Sequence, residues 1–265
     1  MTSQNIFSLK NRKILVTGAA GHLGRALCDY LLSDGATVFA VDVDEEKLAV
    51  LARQVEPRGG SVVLSTVDVS DAAQRVAYVE HLAAQTNGLD GVVFAAAFVG
   101  SNSIEGWACE FADQSVDVWR SALELNLTAP FHLTQLLEPL LSSGGVSSVV
   151  NIGSIYASVG PDWAMYTDLN MSNPAAYAAS KGGLNQLTRW LAATLAPNVR
   201  VNMVSPGGIV RDQDPRFVER YVSKTPLGRM ATEEDVVPQI AFLLSDAARY
   251  VTGQNVVVDG GFTSI

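Results

Sequence analysis

Tyr177 and Lys181 lie four residues apart in the stretch Pro174-Ala-Ala-Tyr-Ala-Ala-Ser-Lys181. On a helix that spacing puts both side chains on one face and brings an ammonium near a phenol oxygen. A free tyrosine ionises at about pH 10, and a neighbouring cation favours the phenolate, so such a pair can act as an acid/base closer to neutrality. The same spacing also arises when an aromatic packs on a core beside a solvated lysine. The pair therefore takes its meaning from its company.

The elements that must hold it are legible as alternation. Short β-branched runs at Lys13 to Thr17, Thr37 to Asp42, Ser61 to Asp68, Gly91 to Ala95, Ser147 to Gly153, Val199 to Ser205 and Asn255 to Asp259 read as strands. Between them lie helical patterns at 22–34, 45–55, 71–86, 117–142, 174–196 and 233–245. Apolar strands separated by helices imply a parallel sheet covered on both faces. No repeat, linker or composition break divides the chain. The expectation is one α/β domain over 1–265, a Rossmann-like doubly wound sheet with its ligands at the carboxyl ends of the strands.

Composition narrows the function. Of 265 residues, 48% are apolar and 17% charged, which suits a compact globular protein. The net charge of −9 opposes nucleic-acid or anionic-membrane binding. The run from Gly91 to Gly100 is too short to span a bilayer, and the first residues lack a signal-type pattern, so the reading is cytoplasmic. Cys28 and Cys109 have no metal-type spacing, and His22, His81 and His132 form no ligand cluster, so no metal is expected.

Ile14-Leu-Val-Thr-Gly-Ala-Ala-Gly-His-Leu-Gly24 places Gly18, Gly21 and Gly24 between a strand and a helix. Glycine there permits a tight turn and close approach of backbone to a pyrophosphate at the helix N-terminus. Asp42 ends the second strand, where a carboxylate accepts hydrogen bonds from the adenosine ribose and repels a 2′-phosphate. With no cation in the glycine turn or just after Asp42, NAD is preferred over NADP. Asp42 or Asp44 could alternatively cap the next helix.

Together these residues resemble the short-chain dehydrogenase/reductase family over essentially the whole chain. The resemblance rests on Thr17-Gly-Ala-Ala-Gly-His-Leu-Gly24, Asp68-Val69, Asn126 in Glu124-Leu-Asn-Leu, Ser154 in Val150-Asn-Ile-Gly-Ser154, Tyr177-Ala-Ala-Ser-Lys181, Ser205-Pro-Gly207 and the ending Tyr250-Val-Thr-Gly-Gln-Asn-Val-Val-Val-Asp-Gly-Gly261. It implies that Tyr177 exchanges a proton with a carbonyl or alcohol oxygen that Ser154 holds. It further implies that Lys181 lowers the Tyr177 pKa and bonds the nicotinamide ribose, and that Asn126 positions a relay water. By the same resemblance Gly18, Gly21, His22, Leu23, Gly24, Asp42, Asp68, Val69, Ala95, Ala96, Pro206, Gly207 and Ile209 line the cofactor.

The chain departs from the family's pattern at several points. His22 stands where shorter members carry glycine, and Phe94-Ala-Ala-Ala97 replaces Asn-Asn-Ala-Gly, leaving the strand end without its amide. Arg211-Asp212 follow where a threonine often meets the carboxamide. An insertion, 160–173, separates Ser154 from Tyr177 and must lie at the mouth of the site. With 211–229 it forms the expected substrate lid.

Trp163, Tyr166, Asp168 and Asn170 in the insertion, with Asn102 and Trp107 after the fourth strand, mix aromatic faces with polar groups, as a polyhydroxylated ligand requires. Arg211, Arg216, Arg220, Lys224 and Arg229 form a basic stretch that could bind a substrate phosphate or carboxylate, or pair with Asp212, Asp214 and Glu219 on the surface. Trp107, Trp163, Tyr166 and Arg211 are the substrate candidates. The wording of the insertion resembles a subgroup associated with bacterial surface sugars, including nonulosonic acids.

The expected activity is NAD(H)-dependent interconversion of a secondary alcohol and a ketone on a sugar derivative, phosphorylated or nucleotide-linked forms included. A 3-oxoacyl-[acyl carrier protein] reductase is the alternative enzyme, and a non-catalytic NAD-sensing protein the alternative of another class. The helices 117–142 and 174–196 correspond to those that pack between subunits in the family, so a homodimer or homotetramer is expected.

Overall fold

The computed structural model describes residues 5–55, 59–99, 104–143 and 145–265. Seven strands, β1 (Lys13–Thr17), β2 (Thr37–Asp42), β3 (Ser61–Thr66), β4 (Gly91–Phe94), β5 (Ser147–Ile152), β6 (Val199–Pro206) and β7 (Asn255–Val258), pair in parallel in the order β3-β2-β1-β4-β5-β6-β7. The helices are α1 (His22–Ser33), α2 (Glu45–Val55), α3 (Ala72–Gln85), α4 (Val116–Leu123), α5 (Ala129–Leu141), α6 (Ala175–Leu195), α7 (Pro215–Lys224) and α8 (Glu233–Leu244). The chain is a single Rossmann-like α/β domain, and each expected strand is present, β1 and β2 with the expected bounds and the others with their C-terminal ends displaced by one or two residues.

Alternation sorts the sheet's residues between two cores. Ile14, Val16, Val93, Val150 and Val204 pack against α1 and α8. Leu15, Val92, Val149 and Val201 face the layer of α3, α5 and α6. Strand order reverses between β1 and β4, which opens a crevice at their carboxyl ends.

The expected helix over 117–142 is interrupted. A π-helical turn, Glu124–Thr128, joins α4 to α5 and widens the coil at Asn126. The polar and apolar pattern runs through this turn unbroken, so periodicity gives no sign of it. The insertion holds a single 3-10 turn, Trp163–Met165, and buries Met165 against Phe217, Tyr221 and Met230. That anchor fixes it to α7, which Asp214 caps and Pro215 opens.

Two glycines close the β1–α1 turn tightly. Gly18 sits at φ +67°, and a Cβ there would lie 2.6 Å from the Ala96 amide nitrogen. A Cβ on Gly24 would lie 2.0 Å from the Gly18 carbonyl oxygen. The clash is with backbone, so it cannot be relieved by a rotamer change. Gly24→Ala should cost about 1–3 kcal/mol of stability, the usual range for overpacking, read as a lower urea midpoint; an unchanged midpoint would show that the turn yields.

Candidate active site

Ser154, Tyr177 and Lys181 converge at the carboxyl end of β5. Ser154 follows β5, and its hydroxyl accepts from the Tyr156 amide at 3.2 Å, which starts the 3-10 turn Ile155–Ala157. The first turns of α6 carry Tyr177 and Lys181 against that end. Lys181 is 2% exposed, its Nζ donates to the Ile152 carbonyl at 2.8 Å, and it lies 5.7 Å from the centre of the Tyr177 ring.

Electrostatics here differ from the simple expectation that the lysine lowers the tyrosine. Burial pushes the Tyr177 phenol up, a hydrogen bond with Ser154 pulls the other way, and the nearby Tyr156 phenol adds a smaller upward push. Burial also pulls Lys181 down to about 8, because the interior penalises its charged form. In the protein alone, desolvation outweighs the cation.

Asn126 is 1% exposed, and its side chain is engaged by protein groups. Its Oδ1 accepts from the Phe98 amide at 2.6 Å, while Nδ2 donates to the Phe98 carbonyl at 3.2 Å and to the Ser180 hydroxyl at 3.0 Å. Ser180 in turn donates to the Tyr177 carbonyl. The segment after β4 lacks the family's amide residue, and Asn126 holds it instead.

The expected cofactor residues lie at the carboxyl ends of the strands and in the turns that follow them. Gly21 ends the turn at the N-terminus of α1, with His22 and Leu23 as its first helical residues and Gly24 beneath. Asp42 Oδ2 accepts from the Ala20 amide at 2.9 Å and Oδ1 from the Asp44 amide at 3.1 Å, so the carboxylate ties β2 to the glycine turn. Asp44, not Asp42, engages the start of α2, accepting from the Lys47 amide at 3.0 Å and pairing with its ammonium at 2.7 Å. Arg25 lies just past the turn on α1.

Asp68 accepts from the Ser70 amide and hydroxyl, and Asp71 rather than Asp68 caps α3. The Val69 side chain belongs to the buried core, so only its backbone is left to face the crevice. Ala95 and Ala96 follow β4, each hydrogen-bonded to Thr17. Pro206 ends β6, Gly207 donates to the Val258 carbonyl, and Ile209 bridges to Ala231.

Two substrate candidates are placed elsewhere than expected. Trp107 is 3% exposed, edge-on to Phe98 at 4.9 Å, with its indole N–H on the Val99 carbonyl at 3.0 Å. It packs behind Tyr177 as core, because no polar face of its ring reaches the cleft. Arg211 pairs with Glu233 at the start of α8. Trp163 and Tyr166 do line a cleft of about 1150 Å³ between residues 108–114, the insertion and the start of α6. Asn102 lies outside the described residues.

The other cations of the basic stretch are likewise engaged. Arg216 pairs with Asp214 at 2.8 Å, Arg229 with Asp235 at 2.6 Å and Lys224 with Asp162. Arg220 donates to the Met165 and Thr167 carbonyls at 3.2 and 2.6 Å. The basic segment ties the lid together rather than presenting a free anion site.

Three residues at this site escaped the sequence reading: Tyr156, Tyr221 and Asn173. The Tyr156 and Tyr166 hydroxyls are 2.7 Å apart, and the Tyr221 hydroxyl accepts from the Gly208 amide at 2.6 Å. Tyr156 stands two residues after Ser154, the one signal that could have found it.

The buried lysine has a thermodynamic signature. Its folded pKa lies below the ordinary 10.5, so the folded protein binds fewer protons than the unfolded chain between about pH 8 and 10.5. The resulting penalty is full below pH 8 and vanishes as pH rises through that window. By linkage it is on the order of 3 kcal/mol at pH 7. Lys181→Met should therefore gain stability over the native protein at pH 7, and urea unfolding at pH 7 and pH 10.5 should show the gap closing; a pH-independent gap refutes it.

Comparison with known proteins agrees with this geometry. A family model described as enoyl-(acyl carrier protein) reductase matches residues 18–263. The chain is 33% identical to a tropinone reductase homologue of Arabidopsis thaliana, over 99% of this chain and 96% of the relative. It is 28% identical to the post-translational flagellin modification protein A of Campylobacter coli, over 96% and 99%. Among solved structures, it is similar to a gluconate 5-dehydrogenase from Burkholderia cenocepacia in complex with NADP and tartrate, at TM-score 0.84, 26% identity and 98% coverage of both chains. It is also similar to a short-chain dehydrogenase from Leptospira borgpetersenii with bound NAD+, at TM-score 0.83, 29% identity, and 99% and 97% coverage. With the glycine turn, Ser154, Tyr177 and Lys181 converging at the carboxyl edge of a seven-stranded parallel sheet, the chain belongs to the short-chain dehydrogenase/reductase family of nicotinamide-dependent oxidoreductases, which act on alcohol and ketone groups.

Proposed function

We propose that the protein interconverts a secondary alcohol and a ketone on a sugar derivative, using NAD(H) in preference to NADP(H). The observation that carries this reading is the convergence of Ser154, Tyr177 and Lys181 beside the glycine turn. The turn suits a dinucleotide: Gly18 and Gly24 let it close backbone against backbone, and Gly21 stands at the N-terminus of α1, where a pyrophosphate would lie. When bound, the nicotinamide supplies or accepts the hydride.

The remaining chemistry belongs to this chain. Ser154 holds the reacting oxygen, and Tyr177 gives it a proton in reduction or takes one in oxidation. Lys181, already near its titration point, bonds the ribose and supplies positive charge beside the phenol. Asn126 fixes the backbone on which both the strand end and α6 depend. Closure of the lid excludes water and orients the substrate.

Asp42 supports the NAD preference, since a carboxylate at the end of β2 would repel a 2′-phosphate bound there. Lys47 is held by Asp44, although Arg25 is close enough to Lys47 to repel it. A sugar derivative is supported by the polar and aromatic cleft, and the flagellin-modification relative is in keeping with surface-sugar chemistry. The paired cations of the lid favour an unphosphorylated ligand. Trp119 on α4, Phe131 on α5 and Trp190 on α6 are exposed, which supports a homodimer or homotetramer through these helices.

Tyr177→Phe should lower turnover by about 10²–10⁴-fold, the usual contribution of a positioned acid/base, with NADH affinity nearly unchanged. Steady-state kinetics and NADH fluorescence titration check this, and full activity in the variant removes Tyr177 from the mechanism. Asp42→Ala should move the ratio of NADPH to NADH affinity upward. An unchanged ratio places the carboxylate away from the ribose.

A further inference from the structure

Tyr156 joins the lid to the reaction centre. It follows Ser154 by two residues, and its phenol is close enough to Tyr177, Tyr166 and Tyr221 to push each of their ionisations upward. Its hydroxyl meets that of Tyr166 at 2.7 Å. When one phenol donates to the other, the pair keeps one O–H to donate and lone pairs to accept. It is therefore an incomplete hydrogen-bonding unit beside the group that moves the proton.

Tyr166 is held in place from several sides. Its ring lies 5.5 Å from Phe217 of α7 and 5.8 Å from Trp163, and the Asn173 side chain is close enough to favour its ionisation. Asn173 lines the cleft and is 6% exposed, yet its Oδ1 has no hydrogen-bond partner. A buried carbonyl oxygen left unpaired costs stability, which a donor supplied by a ligand would offset. The cleft also carries Glu110, Gln114 and Asp168, and no lysine or arginine among the described residues lines it.

We propose that the Tyr156–Tyr166 phenol pair and Asn173 form a recognition site for a hydroxyl on the carbon next to the one that reacts. The preferred substrates are then vicinal diols and the corresponding α-hydroxy ketones, rather than monohydric alcohols. This rests on the dehydrogenase reading above and names its substrate class. In oxidation the diol loses one hydride to the nicotinamide and one hydroxyl proton to Tyr177, which passes it to solvent, and an α-hydroxy ketone leaves. The neighbouring hydroxyl stays intact throughout. It is read by the phenol pair and donates to Asn173 Oδ1.

The test compares cyclohexanol with cis-1,2-cyclohexanediol, with NAD+ as oxidant, in the native protein, Tyr166→Phe and Asn173→Leu. The diol should be favoured in kcat/KM by at least about tenfold, as when a site built for a hydroxyl meets an analogue lacking it. Either substitution should bring the diol-to-monohydric ratio close to one, mainly through KM. Turnover without that preference, or a preference that survives both substitutions, overturns the proposal and leaves the dehydrogenase reading standing. If neither alcohol reacts, tryptophan fluorescence of the protein alone decides, with Trp163→Phe identifying the signal from the cleft. A diol-dependent change absent with cyclohexanol and lost in Tyr166→Phe supports the recognition site even though the catalytic reading has failed, and no such change overturns both.

Discussion

The site depends on burying one ammonium. Lys181 is almost wholly removed from water and meets a single backbone oxygen, that of Ile152 at the end of β5. Such burial is costly unless the charge is offset, and it brings the group close to its titration point at neutral pH. Satisfying that ammonium requires α6 to press its first turns onto the end of β5. The same contact delivers Tyr177 to Ser154, so the geometry of the acid/base pair and the cost of the lysine are one constraint.

Around this contact the backbone is held by side-chain amides and tight turns. Asn126 reaches from a π-helical turn to both polar groups of Phe98 and to Ser180, which bonds the Tyr177 carbonyl. One residue therefore couples the segment after β4 to the catalytic helix. On the other side of the crevice, Asp42 holds the Ala20 amide and draws the glycine turn toward β2. Loss of the strand-end amide common in the family is thus matched by a clamp reaching from the neighbouring helix.

The lid spends its charge on itself. Lys224 and Arg220 of α7 bind the insertion through Asp162 and through the Met165 and Thr167 carbonyls, while Arg211 and Arg229 bind α8. Exposed pairs of this kind contribute little individually, but they set which surfaces meet. Trp163 and Tyr166 of the insertion are left to line the cleft. Tyr221, stacked on Phe262 at 4.5 Å and bonded to the Gly208 amide, links the same helix to the turn after β6.

Sequence by itself determined the sheet, its strand count, the glycine turn and the Tyr177–Lys181 pair, because strand alternation, tight turns and i,i+4 spacing are local properties, whereas Ser154 followed from the family resemblance. It could not decide what a polar or aromatic residue faces. Trp107 and Tyr166 are both aromatic in polar surroundings, yet one is core and the other lines the cleft. The basic stretch left open an anion site or pairing with nearby carboxylates, and folding pairs it largely with more distant ones, Glu233 twenty-two and Asp162 sixty-two residues away from their partners. The π turn at Asn126, the sign of the Tyr177 shift and the meeting of Tyr156 with Tyr166 likewise arise only on packing. Burial and long-range pairing depend on which segments the folded chain brings together, and no local pattern encodes them.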